Sequence, residues 1–400
     1  MNITLVTREF LPLTGGLQVL AAQLGRHLKK RGHDFEVVTR FTRRRLDLRL
    51  HLVKSQAEET LEVGGVKTHV VGHRRSLGLA MDVFYKTLFK PGIDDFPIRL
   101  FAYAYQNKIS NLTERFDVIH FLGQGLELLG FAALASARRQ GKPFIVEPCV
   151  HPGQWGDHPI DLKLYRQADA LIAHSRFEKR FLESQGVDPE KIAILHGFED
   201  RADGDGARFR KKHNITNFMA LFLGRRSKDK GYPVVTEAFL SFLKRDNPDA
   251  KLVIAGPPDG ERIQAPEPYA SRILELGQLE ESEKHDALAA CDVLCVPSEG
   301  ESFGIVYMEA WRYKKPIIAR KIPVLEEING SRPGGILVEN DSAVTENISD
   351  ALSRLFRDQR LRRELGERGF QISSEFVWEN VVERYLEVYR DARSRKSGTS

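Results

Sequence analysis

The chain has little of several features that mark particular protein classes. Its only cysteines, Cys149, Cys291 and Cys295, are too few for a disulfide framework, and no second Cys or His pair stands near 291 and 295 at zinc-ligand spacing. We therefore expect buried thiols in a reducing compartment. No apolar run reaches the roughly 20 residues that span a bilayer. The first residues lack the basic stretch of a signal peptide, so we expect a cytoplasmic protein.

A dinucleotide fingerprint is also missing. Such a site needs Gly-x-Gly-x-x-Gly after the first strand and an acidic residue about twenty positions later. The first turn here reads Thr-Gly-Gly-Leu-Gln instead. This difference disfavours an oxidoreductase of the dinucleotide-binding type.

The net charge of +5 is modest but unevenly distributed. One segment, which we call the basic segment, carries Arg40, Arg43, Arg44, Arg45, Arg49 and Lys54 against a single acid, Asp47. Such a segment attracts an anionic membrane or nucleic acid, or it is a solvated loop and helix face. No aromatic residues alternate with the charges, so we expect no nucleic acid and keep a peripheral membrane contact as one interpretation.

Helical and strand patterns alternate along both halves of the chain. The start reads as a strand from Ile3 to Thr7, a helix over 17–28 and a strand from Phe35 to Thr39. The alternation restarts with a strand from Met219 to Leu223. We predict an α/β protein with domains at 1–196 and 213–376, a linker at 197–212 that is rich in glycine and charge, and a C-terminal helix within 377–400 that packs back on the first domain.

The strongest chemical signal runs from Pro297 to Ala310, after a buried strand and into a helix. There Gly304 leaves room for close approach to the helix N-terminus, which favours a phosphate. The carboxylate of Glu301 precedes this point, and that of Glu309 lies about 7–8 Å of helix rise beyond it. Carboxylates so placed accept hydrogen bonds from sugar and ribose hydroxyls.

A basic loop follows the first strand of the second half. Gly224 precedes Arg225, whose planar fork suits a phosphate, and Lys230 adds a mobile point charge. The glycine spacing and the terminal Lys-Ser/Thr pair of a Walker A loop are absent.

These two motifs, with Gly15-Gly16 and Arg31-Gly32-His33 in the first half, resemble the retaining glycosyltransferases of family 4. The resemblance spans Thr4 to about Trp378 and implies the GT-B architecture, two Rossmann-like domains facing each other across a cleft. It implies an enzyme that catalyses the transfer of a hexosyl group from a UDP- or GDP-sugar to a hydroxyl acceptor, in polysaccharide or glycolipid assembly. It implies no cofactor and no metal, and we interpret Asp203-Gly204-Asp205 as loop residues.

The resemblance also implies roles for individual residues. Arg225 and Lys230 would neutralise the diphosphate, Glu301 would contact the transferred sugar, and Glu309 would bind the ribose. The remaining donor-binding residues would be Gly16, Gly224, Ser302, Phe303, Gly304, Ile305 and, near the base, Leu279.

The histidine closest to the reacting sugar stays open between two candidates. His151 follows a strand, and the resemblance implies a histidine at the end of this strand near the reacting sugar, which makes His151 the favoured candidate. The rival His120 also ends a strand, with the alternative interpretation of a satisfied buried histidine. Gly15 and Ser175 complete the candidates on the acceptor side. A sugar-nucleotide epimerase or hydrolase of the same architecture, or a non-catalytic nucleotide-sugar-binding protein, remains an alternative function.

Overall fold

The computed structural model describes residues 1–13, 15–90, 92–259 and 263–397, and these form two compact units. Unit 1 comprises Met1–Gly197 together with the C-terminal segment from Trp378, and unit 2 comprises Phe198–Val377. Unit 2 is therefore inserted into unit 1 along the chain. No helix among the described residues has the length and apolar character needed to cross a membrane.

Unit 1 alternates strands and helices. In chain order these are β1 (Asn2–Glu9), α1 (Gly16–Lys30), β2 (Asp34–Phe41), α2 (Leu48–Val53), β3 (Glu59–Val63), β4 (Val66–Val70), α3 (Arg75–Phe84), α4 (Asp95–Thr113), β5 (Val118–Leu122), α5 (Leu129–Arg139), β6 (Phe144–Glu147), α6 (Pro159–Tyr165), β7 (Ala170–Ala173), α7 (Arg176–Ser184) and β8 (Ile192–Ile194). Short 3-10 turns cover Tyr85–Phe89, Gly125–Glu127 and Pro189–Lys191.

These strands form one eight-stranded sheet in the order β3-β4-β2-β1-β5-β6-β7-β8, parallel except for β3. Side chains alternate between its two faces, so that Ile3 and Leu5 enter one core cluster and Val6 enters the other. All five residues of β5 are buried, which explains its near-continuous apolar sequence.

Unit 2 repeats the alternation on a smaller sheet. Its elements are α8 (Gly206–Lys212), β9 (Phe218–Leu223), α9 (Tyr232–Asp246), β10 (Ala250–Ala255), β11 (Ile273–Leu276), α10 (Glu281–Ala290), β12 (Val293–Cys295), α11 (Ile305–Arg312), β13 (Ile317–Arg320), α12 (Pro323–Asn329), β14 (Gly335–Val338), α13 (Val344–Arg357) and α14 (Gln359–Ser374), with a 3-10 turn at Ala270–Arg272. The strands are parallel, in the order β11-β10-β9-β12-β13-β14.

The segment predicted as a linker, 197–212, is mostly part of unit 2. Several of its charges are paired: Arg208 binds Asp286, with Nε 2.7 Å from Oδ2, and Arg210 binds Asp292. Phe209 is buried in helix α8. A Cβ at Gly204 would lie 2.1 Å from the carbonyl oxygen of His285, so this glycine permits close packing on α10. Gly204 and Arg208 of this segment thus contact helix α10, which corrects the interpretation of the segment as a linker.

The last helix, α15 (Trp378–Ser397), packs within unit 1. Its buried face includes Trp378, Tyr385 and Tyr389, and all three belong to the core cluster that also contains Ile3 and Leu5. Trp378 stacks on His27 with ring centroids 5.8 Å apart, and its Nε1 donates to Gln23 Oε1 at 2.9 Å. The final helix is therefore part of the core of the first unit.

Candidate functional site

The predicted donor loops follow two neighbouring strands of unit 2. Strand β9 lies beside β12, and the chain continues to β10 on one side and to β13 on the other. The carboxyl ends of β9 and β12 therefore border a topological switch point, where open parallel sheets bind ligands. The loop 224–231 follows β9, and the loop 296–304 follows β12.

The two loops contact each other directly. Lys230 donates from Nζ to Glu301 Oε1 at 2.8 Å, so the structure brings together two predicted catalytic residues that lie 71 positions apart. The backbone N–H of Glu299 also donates to the carbonyl of Asp229 at 2.8 Å. Since neither Lys230 nor Glu301 is fully exposed, their charges interact under reduced solvent screening.

Gly304 begins helix α11 in the left-handed region, with φ of 87°. A Cβ at this position would lie 2.5 Å from Cδ2 of Tyr307, whose buried hydroxyl donates to the carbonyl of Val296 at 2.7 Å. Tyr307 thus fixes α11 to the end of β12. The first turn of the helix, at Ile305, directs unpaired N–H groups and the positive end of the helix dipole toward the loop. Ser302 is half-buried and Phe303 is buried against Phe376.

Glu309 is half-buried one turn into α11 and bonds to Lys284 of α10, with Nζ 2.8 Å from Oε1. Lys284 also lies 2.7 Å from Glu281 Oε1. Burial alone would lower the pKa of Lys284, but the charges of Glu309 and Glu281 outweigh it and raise that pKa. Lys284 therefore carries a firmly held positive charge beside the carboxylate predicted to bind ribose.

One group of side chains has the geometry of a metal site. Glu281, His285 and Glu309 offer one ligand atom each within 4.8 Å of one another. The ammonium group of Lys284 already bonds both carboxylates. Its positive charge therefore occupies the position to which these carboxylates would attract a metal cation. The hydrogen bond from His285 and the charge of Lys284 lower the pKa of Glu281 to about 2.

The other donor candidates surround the same edge of the sheet. Arg225 is exposed and pairs with Asp259 at 2.8 Å and Asp229 at 3.0 Å, so a diphosphate would compete with two carboxylates for it. Gly224 bonds the end of β10 through its N–H. Leu279 is half-buried in the loop after β11.

The Asp203-Gly204-Asp205 motif has local partners. Asp203 pairs with Arg201 at 2.7 Å, and Asp205 caps helix α8 by accepting the N–H of Arg208. Both carboxylates thus have structural roles in the loop before α8.

In unit 1 the sheet has its own switch point, between β1 and β5. Gly15 and Gly16 begin α1 directly after β1 and the loop that follows it. Among the described residues, no atom beyond the neighbours of Gly16 in the chain lies within 4 Å of a Cβ built on it, so these residues leave space at this helix start. The geometry is compatible with ligand approach at this helix N-terminus.

His151 is half-buried beyond the end of β6. Its Nδ1 lies 3.2 Å from the carbonyl oxygen of Cys149, and its ring lies 4.0 Å from that of Trp155, which is 41% exposed. The imidazole is therefore oriented by its own loop and lies near the surface of unit 1.

His120 is fully buried, which corrects its candidacy on the acceptor side. Its Nε2 lies 3.2 Å from Glu147 Oε2, and its Nδ1 lies 3.0 Å from the hydroxyl of Tyr389. The structure supports the interpretation of His120 as a buried histidine, held by the hydroxyl of Tyr389 and by its contact with Glu147.

Glu147 is the centre of this buried network. Besides His120, it bonds His174 Nε2 at 2.7 Å and accepts the hydroxyl of Tyr385 at 2.9 Å. Burial opposes its ionisation, but His120 and His174 outweigh burial and hold the pKa of Glu147 at about 2. The network thereby joins the middle of β5 and the end of β6 to helix α15.

Ser175 is also corrected as an acceptor-side candidate. It is 1% exposed, and its hydroxyl caps α7 by accepting the N–H of Glu178. A serine directly before a helix is the common sequence signal for such a cap, and that signal explains this residue completely.

The basic segment does not form one surface. Arg40 is fully buried and donates to the carbonyl oxygens of His51 and Lys54 at 2.6 and 2.8 Å. Arg43 and Arg49, which are exposed, pair with Glu59 and Asp82 at 2.7 Å each. The buried guanidinium holds the chain around α2 in place, so the positive surface is smaller than the sequence predicts.

Two polar residues near these edges were not predicted from sequence. Lys284 stands on a charged helix, where no pattern distinguishes it. Glu127 is buried after β5, 3.7 Å from Arg8, and burial raises the pKa of Glu127 to about 7. A carboxylate within an apolar stretch, Leu126 to Leu129, was the signal available for it.

Sequence comparison accounts for both units. The family described as glycosyl transferases group 1 matches residues 205–372, and a glycosyl transferase 4-like domain matches residues 15–197. The chain belongs to the group 1 glycosyltransferases. The resemblance inferred from the two motifs is thus confirmed, and the protein is a glycosyltransferase.

Curated relatives of this group 1 glycosyltransferase share its length. A D-inositol 3-phosphate glycosyltransferase of Acidothermus cellulolyticus is 28% identical over 96% of this chain and 87% of its own. The enzyme of that name from Kineococcus radiotolerans is 25% identical over 94% and 91%.

Solved structures share the GT-B fold. Anabaena Alr3699/HepE, in complex with UDP, has a TM-score of 0.72 at 15% identity, covering 98% of this chain and 100% of that one. Sucrose-phosphate synthase of Thermosynechococcus elongatus has a TM-score of 0.71 at 18% identity, covering 98% and 99%. These likenesses confirm the predicted pair of α/β domains.

Proposed function

We propose that this group 1 glycosyltransferase moves a hexosyl group from a UDP- or GDP-sugar to a hydroxyl acceptor, with retention of configuration and without a metal ion. The observation that carries the proposal is the Lys230–Glu301 pair at the switch point of unit 2. We also propose a role in polysaccharide or glycolipid assembly in the cytoplasm, in keeping with three buried, unpaired cysteines.

Donor binding begins with the diphosphate. Its negative charge is met by the N-terminus of α11 behind Gly304 and by the ammonium of Lys230. Arg225 joins by exchanging one of its carboxylate partners, Asp229 or Asp259, for a phosphate oxygen. The complex of UDP with the structural neighbour from Anabaena supports a uridine nucleotide as the first donor to test.

The two glutamates hold the two ends of the donor. Glu301, already placed beside Lys230, accepts hydrogen bonds from hydroxyls of the transferred sugar. Glu309 accepts from the ribose hydroxyls, with Lys284 holding its carboxylate in position. Leu279 completes the group as an apolar contact for the base.

The reaction then separates charge between sugar and phosphate. When the bond from the anomeric carbon to the phosphate oxygen breaks, its electron pair stays on the diphosphate. The fixed cation of Lys230 and the helix N-terminus stabilise this charge, so these groups favour the transition state over the bound donor. On unit 1, His151 is the residue that we propose for contact with a sugar hydroxyl.

Calorimetric titration with UDP and GDP tests this assignment. Lys230→Ala and Arg225→Ala should each weaken nucleotide binding roughly 10–100-fold, since each removes a charge-assisted hydrogen bond. Lys228→Ala is the matched control, because Lys228 is exposed in the same loop. If UDP and GDP bind Lys230→Ala and Arg225→Ala as tightly as they bind Lys228→Ala, the assignment of the donor site is refuted.

Turnover measurements address the rest of the proposal. D-inositol 3-phosphate, named for the relatives, is the first acceptor to assay, followed by lipid-linked and oligosaccharide acceptors. Activity should persist in EDTA, and the anomeric configuration of the product should match that of the donor. A strict requirement for a divalent ion would contradict the metal-free mechanism, and release of free sugar alone would favour a hydrolase.

A further inference from the structure

Large apolar side chains that reach solvent are concentrated in one part of unit 1. Among the described residues, the exposed large apolar side chains are Leu50, Leu79, Val83, Phe89, Ile93, Phe96, Tyr103 and Trp155. All but Trp155 lie between positions 50 and 103. Val83 is 73% exposed, Tyr103 is 70% exposed and Leu79 is 62% exposed. Apolar residues scattered singly need no explanation, but a contiguous patch indicates a binding surface.

These residues share helix faces. Leu79 and Val83 stand four positions apart on α3, while Met81 on the opposite side of that helix is fully buried. On α4, Phe96 and Tyr103 stand seven positions apart, which is two helical turns, and Phe101 faces the core. Each helix is therefore amphipathic with an unusually apolar outer face.

The two helices meet at their ends. The rings of Phe84 and Phe96 lie 4.9 Å apart, which joins the last turn of α3 to the first turn of α4. Between them, the 3-10 turn Tyr85–Phe89 packs Tyr85 against Phe89 at 5.2 Å. The outer faces of α3, this turn and the start of α4 thus form one surface, which we call the α3–α4 face.

The α3–α4 face is also positively charged. Between 74 and 99 the cations are Arg74, Arg75, Lys86, Lys90 and Arg99, and none of them has an ion pair with another described residue. The three acids of this stretch pair with two cations from outside it: Asp82 pairs with Arg49, while Asp94 and Asp95 share Lys163, so at most one acidic charge stands against the five cations. The uncompensated charge is therefore cationic.

We propose that the α3–α4 face docks on the surface of an anionic lipid bilayer. A face with aliphatic and aromatic side chains between unpaired cations matches an interface in which apolar chains enter the acyl boundary and cations meet phosphate headgroups. A second copy of the chain would instead bring two cationic faces together, which is unfavourable. Docking in the plane of the interface requires no spanning helix.

The membrane contact proposed here lies on the α3–α4 face rather than on the basic segment alone. Within the basic segment, Arg40 is buried, while Arg43 and Arg49 are paired. Arg49 bonds Asp82 of α3, so the basic segment borders the α3–α4 face and supports it rather than forming the contact alone. Docking places the enzyme of the proposed function at a lipid surface, but it does not depend on sugar transfer.

Vesicle sedimentation with the full chain tests the proposal without donor or acceptor. The probes are vesicles of phosphatidylcholine alone and of phosphatidylcholine with phosphatidylglycerol. We expect binding to the anionic vesicles and much weaker binding to the neutral ones. Arg75→Glu with Lys86→Glu should reduce the partition coefficient at least about 25-fold, from about fivefold for each cation removed. Replacing Leu79, Val83 and Tyr103 together by Ser should reduce it at least about tenfold.

The matched control is Lys211→Glu with Arg363→Glu, which makes the same change in net charge on exposed residues of unit 2. This control should bind anionic vesicles nearly as the unaltered chain does, and thermal unfolding should be alike in all variants because every altered side chain is exposed. The proposal fails if the unaltered chain ignores anionic vesicles, or if the control loses as much binding as the α3–α4 variants. It also fails if light scattering shows a dimer that the Ser variant dissociates, since the face would then join two copies.

Discussion

Replacing Glu147 by Gln keeps the volume of the side chain but removes its charge from the core of unit 1. In the structure this carboxylate lies among His120, His174 and Tyr385, all of them buried. Gln can retain one hydrogen bond through its oxygen, but it leaves His174 without a counter-ion. We expect helix α15 to lose part of its attachment to the sheet.

The magnitude follows from the burial of the network. Removing one partner of a buried ion pair typically costs 3–5 kcal/mol, and the amide of Gln places this case at about 3 kcal/mol. The burial-driven rise in pKa is outweighed by the histidines, which lower the pKa of Glu147 to about 2. Its contribution is thus complete above the ordinary carboxyl range and is lost as the pH falls toward 2.

Native-state hydrogen exchange of the α15 peptides measures this loss locally. A decrease of about 3 kcal/mol corresponds to roughly 150-fold faster exchange through opening of this helix, while helix α13 of unit 2 should be unchanged. Glu383→Gln is the matched control, because Glu383 lies on the same helix with its side chain 52% exposed and forms a surface ion pair with Arg390. Equal protection of α15 in the Glu147 variant and in this control would refute the reasoning.

Two further predictions concern the ligand edges of the two sheets. Gly304→Ala should weaken UDP binding at least tenfold in calorimetry, because a Cβ at φ of 87° is strained and would lie 2.5 Å from Tyr307. The control is Gly32→Ala, at φ of 79° with nothing described within 4 Å of the added Cβ, which should leave UDP affinity unaltered. Glu127→Gln should remove a pH dependence of the free energy of unfolding. Burial raises the pKa of Glu127 to about 7, so between about pH 4.5 and 7 the folded chain holds a proton that the unfolded chain releases. The free energy of unfolding of the unaltered chain should therefore fall by up to about 3 kcal/mol as the pH rises through this range. Urea midpoints of the variant that shift with pH as much as those of the unaltered chain would contradict this assignment.

The parallel strands were predictable because burial on both faces leaves a continuous apolar run. Strand β9 (Phe218–Leu223) and strand β5 (Val118–Leu122) both follow this rule, and the helix at Ile305 was likewise expected from the sequence. The Glu301 to Glu309 motif was recognisable for a related reason, since the chemistry of a helix N-terminus depends on local spacing.

The region from 40 to 95 was not predictable in the same way. One signal was present: Gly64 and Gly65, both at positive φ, form the two-residue turn between β3 and β4 that alternating patterns with Gly-Gly predict. No local pattern showed that Arg40 is buried, because its partners are backbone carbonyls brought together by the fold. Pairings over long distances, such as Lys230 with Glu301, likewise depend on the order of the strands.

The place of α15 in the core of unit 1 has a consequence for synthesis on the ribosome. Residues 1–197 emerge early, but Trp378, Tyr385 and Tyr389 leave the exit tunnel only after all of unit 2 has been made. At typical elongation rates of about 5–20 residues per second, the first unit waits on the order of ten seconds or more for its last helix. During that time the histidine and glutamate side chains beneath α15 have no tyrosine partners. The nascent first unit is therefore a candidate client for chaperones, whereas unit 2 can complete its fold from one uninterrupted stretch of chain.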